Sequence, residues 1–267
     1  MTQPTAQPAA DAPGITVTDH GDHRVLTIDR PERRNALNVE TVDSLRGEVA
    51  KAGHDEVPAV VITGSPPAFC AGGDLPSLSA VAQTGPSAAS EVIYQSFHGL
   101  VRAIRDCPAP VIAAVNGPAM GAGLDLALCC DLRIAAPGAL FESTWARVGL
   151  VPGMGAAFHL PHIVGSTRAA ELLLTGRRLT AAEALDWGLV NEVAEDVLAA
   201  AAGTAKRIAS LPRLAVARTK SALRRTRDHG LDDELATLGA VQGQLLIGDD
   251  FRAVAEAMAA RQKSGRS

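Results

Sequence analysis

The strongest constraint on the fold is a pair of short, nearly uninterrupted apolar runs, "VPAVVITG" (57–64) and "PVIAAVNG" (110–117), each ending in a glycine. A strand that is apolar at every position, rather than at alternate ones, has to be covered on both faces. Between the two runs lies "SEVIYQSFHGLVRAIRDCP" (90–108), a helix ended by Pro108, and "GAGLDLALCCD" (121–131) opens another helix from a glycine-rich turn. Short buried strands alternating with helices predict parallel βαβ units and an α/β architecture. Ahead of them, "ITVTDHGDHRVLTIDR" (15–30) reads as two alternating strands about a turn at 20–22, a β-hairpin. Residues 38–53 carry apolar side chains at helical spacing, Val39, Val42, Leu45 and Val49, with Gly53 as a stop. "LRIAAPGALF" (132–141) returns to strand, and from about residue 155 helices dominate, with only "LVNEV" (189–193) extended. The expected organisation is a disordered Pro/Ala/Gln-rich tail (1–14), an α/β core (15–195) and a helical C-terminal region (196–267). That last region is expected to pack on the core or on a neighbouring subunit.

Composition narrows the function more than the fold. With 267 residues, 47% of them apolar and 20% charged, the chain can build a full core. A net charge of −4 and only 3% aromatic residues argue against nucleic acid as a partner, since neither a basic field nor a stacking platform is available. No apolar run approaches the roughly 20 residues that span a bilayer, and the N-terminal tail has neither a basic nor an apolar signal region. The expectation is a cytoplasmic protein with no membrane partner. Cys70, Cys107, Cys129 and Cys130 form no CxxC pair and sit among small or apolar residues, so they are read as reduced thiols, with no metal site.

Two turns are candidates for chemistry. "AFCAGGDL" (68–75) follows the first apolar strand, and "NGPAMGAGLDLAL" (116–128) follows the second. Small residues let backbone N–H groups approach a ligand, and the second turn also opens a helix whose free N–H groups favour negative charge. Side by side, two such turns could hold a developing oxyanion, although small residues also serve tight strand–helix packing. The second turn lacks the Lys-Ser/Thr of a P-loop and the spacing of a dinucleotide fingerprint. No GxSxG or HExxH occurs, so a serine hydrolase or a zinc hydrolase lacks its parts.

Several separate motifs occur in order: "DRPERRNALN" (29–38), "AFCAGGDL", "CPAPVIAAVNGPAMGAGLDLALCCDLRIAA" (107–136) and "LLLTGRRLTAAEALDWGLVNEV" (172–193). Together they resemble the enoyl-CoA hydratase/isomerase, or crotonase, superfamily from about residue 15 to the C-terminus. The resemblance implies a crotonase-like spiral of ββα units with a C-terminal helical trimerisation region, assembled as a homotrimer or a dimer of trimers. It implies an acyl-CoA thioester substrate, with coenzyme A as part of that substrate and no further cofactor. Its two oxyanion N–H groups fall on Gly73 and Ala122, and losing one such donor typically costs about 3–4 kcal/mol of transition-state stabilisation. Ala36, Ala71, Gly72, Asp74, Leu75 and Trp145 would line the CoA and acyl site. Arg33, with its neighbour Arg34 as the alternative, and Arg261 with Lys263 would meet the CoA phosphates.

The acids depart from the family pattern. Hydratases that the sequence resembles carry two glutamates, one just after the glycine-rich turn and one at a helix start after the next strand pair. Here the first position holds Asp125 and the second holds Trp145, which cannot transfer a proton. An acid in the first turn of a helix also complements the helix dipole, so Asp125 has a structural reading beside the catalytic one. An aspartate here resembles the dienoyl-CoA isomerase branch and a tryptophan there the 4-chlorobenzoyl-CoA dehalogenase branch, but the acids those branches add align with Trp145 and Gly153. In "ALFESTWARVGLVPG" (139–153), read as a short helix start between turns, Glu142 is a candidate substitute acid, or else part of a capped helix terminus. His159 and His162 are read as structural or exposed. The expected activity is isomerisation or hydration of an enoyl-CoA in fatty-acid-type metabolism. The alternative is an acyl-CoA-binding homologue that has lost hydratase chemistry because Trp145 replaces the second acid.

Overall fold

A computed structural model describes residues 7–8 and 14–225. In chain order, β1 (Gln7–Pro8) is followed by the hairpin β2 (Ile15–Asp19) and β3 (Arg24–Ile28), then α1 (Val39–His54) and β4 (Val60–Gly64). Next come α2 (Leu75–Ala82), α3 (Pro86–Val92), a π-helical turn (Ile93–Phe97) and α4 (His98–Asp106). Then follow β5 (Val111–Val115), β6 (Ala119–Met120), α5 (Ala122–Cys129), β7 (Leu132–Ala135) and β8 (Leu140–Glu142). The remainder is α6 (Ala156–Val164), α7 (Ser166–Thr175), β9 (Arg178–Thr180), α8 (Ala181–Asp186), β10 (Glu192–Val193), α9 (Val197–Ala209) and α10 (Arg213–Arg225).

The main sheet runs in the order β1-β2-β3-β4-β5-β7-β10, antiparallel through the hairpin and parallel from β3 onward. All five residues of β4 and all five of β5 are buried, because both faces of the sheet are covered. Alternation sends Val60 and Ile62 into the larger core with α1 and α4, and Val61, Ile112 and Ala114 into a smaller one. The smaller core is closed by Val197, Ala201 and Ala205 of α9, a helix that belongs to the first compact unit, which ends at Ala209. A second unit begins at Ser210, and its described residues include α10.

Two features differ from the sequence expectation. Gln7 and Pro8, placed in the tail, pair antiparallel with Asp19 and Thr18 of β2. A second, three-stranded sheet, β6-β8-β9, also forms, with β6 and β8 parallel and β8 and β9 antiparallel. Its strands have two or three residues each, too short for any periodicity to show. Among the described residues no helix is long and apolar enough to cross a membrane, and all four cysteines are free.

Candidate active site

Because β4 and β5 are parallel neighbours, with Val60 opposite Val111 and Ile62 opposite Ala113, their carboxyl ends deliver the two glycine turns to the same edge. This is where open α/β sheets place their ligands. The first turn is pinned by Asn35, fully buried, whose amide donates to the carbonyls of Ser65 and Ala68 (both 2.7 Å). Arg30 adds a second tie, donating to the Ala36 carbonyl and pairing with Asp74 at 3.0 Å.

Along this turn Leu37 and Gly73 form a parallel bridge: the Leu37 N–H donates to the Gly72 carbonyl (2.7 Å), and the Asp74 N–H donates to the Leu37 carbonyl (2.8 Å). Groups alternate along an extended chain, so the N–H of Gly73 itself points to the opposite edge. On that edge runs the second turn: a Cβ added at Gly72 would lie 3.0 Å from the Met120 carbonyl oxygen and 3.7 Å from the Ala122 nitrogen. Ala122 is the first residue of α5, after Gly121 with φ of 50°, which offers no side-chain cap. Its N–H is therefore one of the orphan donors of a helix N-terminus. The close approach depends on Gly123, where a Cβ would stand 2.2 Å from the Cys70 carbonyl oxygen.

One turn along α5 from Ala122, Asp125 is completely buried. Its Oδ1 accepts from the Trp145 indole N–H (3.3 Å) and its Oδ2 from the Met154 N–H (3.0 Å). Burial pushes its carboxyl up to about 6, although the N–H groups of Met154, Trp145 and Ala156 pull it back. These donors are all neutral, so nothing cancels the cost of a charge taken out of water. Trp145 is half-buried against the main core, with its indole between the glycine turn that opens α5 and the following loop. A Cβ at Gly121 would lie 4.0 Å from its Cε2, and one at Gly153 3.9 Å from its Cη2.

The segment 139–153 is not a helix start. Glu142 ends the strand β8, and Trp145 precedes a single 3-10 turn, Ala146–Val148, so the two side chains do not share a helical face. The Glu142 carboxylate is buried between two arginines, Oε1 on Arg147 (3.0 Å) and Oε2 on Arg178 of β9 (2.9 Å). With both oxygens in ion pairs, it joins the small sheet together and is a poor substitute for a proton-transferring acid. Its backbone carbonyl does serve the site, accepting from the Gly121 N–H at 2.9 Å.

The other sequence candidates cluster on the first turn. Ala71 donates its N–H to the Arg34 carbonyl (2.9 Å), which joins the "RRNAL" loop to the glycine turn. Arg33 is exposed in the turn Pro31–Arg33, Ala36 is half-buried beside it, and Leu75 is exposed at the start of α2. Asp74 is already employed: it caps α2 through the Ser77 N–H (3.2 Å) and pairs with Arg30. Burial would raise its carboxyl, but the Ser77 N–H and Arg30 hold it below the ordinary value. Arg261 and Lys263 lie outside the described residues. His162 Nδ1 donates locally to the Phe158 carbonyl (2.7 Å), and His159 faces the Cys129 sulphur at 3.9 Å. Sequence reasoning did not find Arg30, Asn35 or the Met154 and Ala156 N–H groups. Asn35 and Arg30 at least lie in a motif it had singled out, whereas backbone donors carry no residue signal.

Comparison with known proteins agrees with this architecture. A family model described as enoyl-CoA hydratase/isomerase matches residues 24–263. A Mycobacterium tuberculosis protein named "Probable enoyl-CoA hydratase EchA14" is 41% identical over 207 residues, covering 77% of this chain and 79% of its own length. A Rhodobacter capsulatus protein named "Probable enoyl-CoA hydratase" is 38% identical over 238 residues, 85% of this chain and 88% of its own. The crystal structure of an enoyl-CoA hydratase from Polaromonas sp. JS666 superposes with a TM-score of 0.88 at 34% identity, covering 92% of this chain and 97% of that one.

Proposed function

This chain belongs to the enoyl-CoA hydratase/isomerase family, and on that premise we propose that it moves a proton along the acyl chain of an enoyl-CoA thioester. The N–H groups of Gly73 and Ala122 hold the thioester oxygen. When a proton leaves C2, the electron pair passes into the carbonyl, and the two donors stabilise the enolate oxygen that results. Asp125 takes that proton and returns it at C4, which shifts a 3,4 double bond to 2,3 with no net change in composition. The observation that carries this reading is the isolated, buried Asp125 one turn beyond Ala122, pushed up to about 6. Such a carboxyl is ionised at neutral pH and still basic enough to accept a carbon-bound proton from an enolisable thioester. A carboxylate has about four lone-pair sites, and three N–H donors leave room for one proton.

Hydration needs one group to activate water and another to protonate carbon, and Trp145 can do neither. A single carboxylate therefore favours isomerisation. A second reading, acyl-CoA binding without turnover, is favoured by the same burial: Asp125 is sealed beneath the Trp145 indole, with both oxygens engaged. Assembly as a homotrimer or a dimer of trimers belongs to the proposal and is checked by the mass of the particle in solution.

Crotonyl-CoA, a 3-enoyl-CoA and a 2,4- or 3,5-dienoyl-CoA, assayed for turnover and for binding, separate these readings. We expect turnover of the 3-enoyl-CoA on the order of 1 s⁻¹ or more, lost in Asp125→Asn. Fast hydration of crotonyl-CoA that survives Asp125→Asn would overturn the isomerase reading, and tight binding of all three without turnover would favour the binding protein.

A further inference from the structure

A π-helical turn, Ile93–Phe97, separates α3 from α4, and its wider register closes on the His98 N–H, which donates to the Ile93 carbonyl. One extra residue rotates everything that follows by roughly 100° about the helix axis. The turn is held by side chains: Arg102 donates to the Tyr94 carbonyl (2.8 Å) and Arg46 to the Gln95 carbonyl (2.8 Å). Ser96 bonds Asp43 of α1 (3.2 Å), and Phe97 is buried in the main core. Two arginines and a core anchor thus fix a rotation that aims the half-buried His98 at the loop after Trp145.

There the His98 Nε2 lies 2.8 Å from the Gly153 carbonyl oxygen. A carbonyl can only accept, so Nε2 carries the proton. The same peptide group presents its other end, the Met154 N–H, to Asp125 Oδ2 at 3.0 Å. One planar peptide is therefore bonded at both ends, with His98 donating to its oxygen and Asp125 accepting from its nitrogen. A bond at the oxygen polarises the N–H across the peptide, and two fixed ends leave the plane no freedom to tilt. The ring of Tyr94 meets His98 edge-on, with centroids 6.1 Å apart, and Arg102 lies over Tyr94.

We propose that His98 is a positioning residue: acting through the Gly153–Met154 peptide, it holds the Met154 N–H on Asp125. It touches neither the acyl chain nor the reacting atoms. This inference rests on the proton-transfer reading of Asp125 for its functional meaning, but the geometry it claims can be tested without turnover. Among the described residues Asp125 acts on the Cys129 thiol, one turn on along α5, which also feels Cys130 and Arg133 and faces His159 of α6; burial first, then Cys130 and Asp125, push that thiol well above its ordinary range.

The test is a titration of carboxyl-¹³C-labelled aspartate by NMR, with the Asp125 signal identified by its loss in Asp125→Asn. His98→Gln keeps a donor near the Nε2 position, and His98→Leu removes it. In His98→Leu the Asp125 midpoint should move up by roughly half to one pH unit, and in His98→Gln it should stay near the wild-type value. In parallel, kcat on the 3-enoyl-CoA should fall about tenfold in His98→Leu with KM within twofold, and His98→Gln should recover most of it. An unmoved midpoint in His98→Leu overturns the proposal, as does an equal movement in both variants. If His98→Leu does not fold, His98→Asn, whose shorter amide falls short of the Gly153 oxygen, takes its place with the same outcomes. A midpoint that moves as expected in a protein that turns over no substrate would keep the relay and remove the proton-transfer reading.

Discussion

Asp125 and Glu142 are both buried carboxylates whose backbones bond Gly121 at the start of α5, yet their side chains face opposite surroundings. Asp125, on α5, meets the N–H groups of Trp145, Met154 and Ala156, all neutral, and burial pushes it up to about 6. Glu142, on β8, meets the guanidinium groups of Arg147 and Arg178, and each of its oxygens is in an ion pair. Neutral donors orient a carboxylate without paying back its lost hydration, whereas cations bind the charge itself. The difference teaches that burial alone does not make an acid. A carboxylate can move a proton when its neighbours leave the protonated and ionised forms close in energy.

Exchanging charge for shape at each site should separate the two roles. Asp125→Asn is expected to lower kcat on the 3-enoyl-CoA by about 10³-fold or more, with acyl-CoA affinity changed only a few-fold. Steady-state kinetics with a binding isotherm checks this, and kcat within tenfold of wild type would break the comparison.

The next effect is on stability and its pH dependence. The folded-state carboxyl of Asp125, at about 6, lies above its ordinary 3.8, so the folded protein holds this proton more tightly than the unfolded chain. The stabilisation is fully present below about 3.8 and is lost as pH rises through about 6, up to about 3 kcal/mol. Urea unfolding of wild type and Asp125→Asn from pH 4 to 7.5 should show wild type losing ground over this window. Parallel curves would mean that the burial is not felt.

How much of this was legible follows from where the signal lies. "VVITG" and "VIAAV" announce buried parallel strands because every position is apolar, and the glycines after them mark the turns by residue type. The three strands of the small sheet have no length in which a period could appear, and Arg178 lies 36 positions from Glu142. That is why Glu142 could be read as a free acid from sequence. The donors on Asp125 from Met154 and Ala156 are backbone groups, which any residue supplies, and the π-helical turn adds one residue without disturbing the apolar pattern around Ser96 and Phe97.

A smaller effect is expected at the other carboxylate. Glu142→Gln should cost about 1–2 kcal/mol, discounted because more than half of each arginine side chain is exposed, and should leave kcat within tenfold. Thermal unfolding with kinetics on the same preparation decides it, and a thousandfold loss of kcat at unchanged stability would make Glu142 the acid. Smallest of all is Trp145→Phe, which keeps most of the apolar contact and removes one N–H at 3.3 Å from Asp125. The acid limb of the kcat/KM profile should then move up by at most about one pH unit, the worth of one hydrogen bond to a charged group.

The most direct test of the central claim is deuterium exchange at C2 of an acyl-CoA thioester in D₂O, followed by NMR or mass spectrometry. It requires only the enolate, the two N–H donors and one base, and is independent of where the double bond ends. The account predicts exchange with the wild-type protein and its loss in Asp125→Asn at unchanged acyl-CoA binding. Exchange that continues at the wild-type rate in Asp125→Asn, or a wild-type protein that binds the thioester and exchanges nothing, would contradict it.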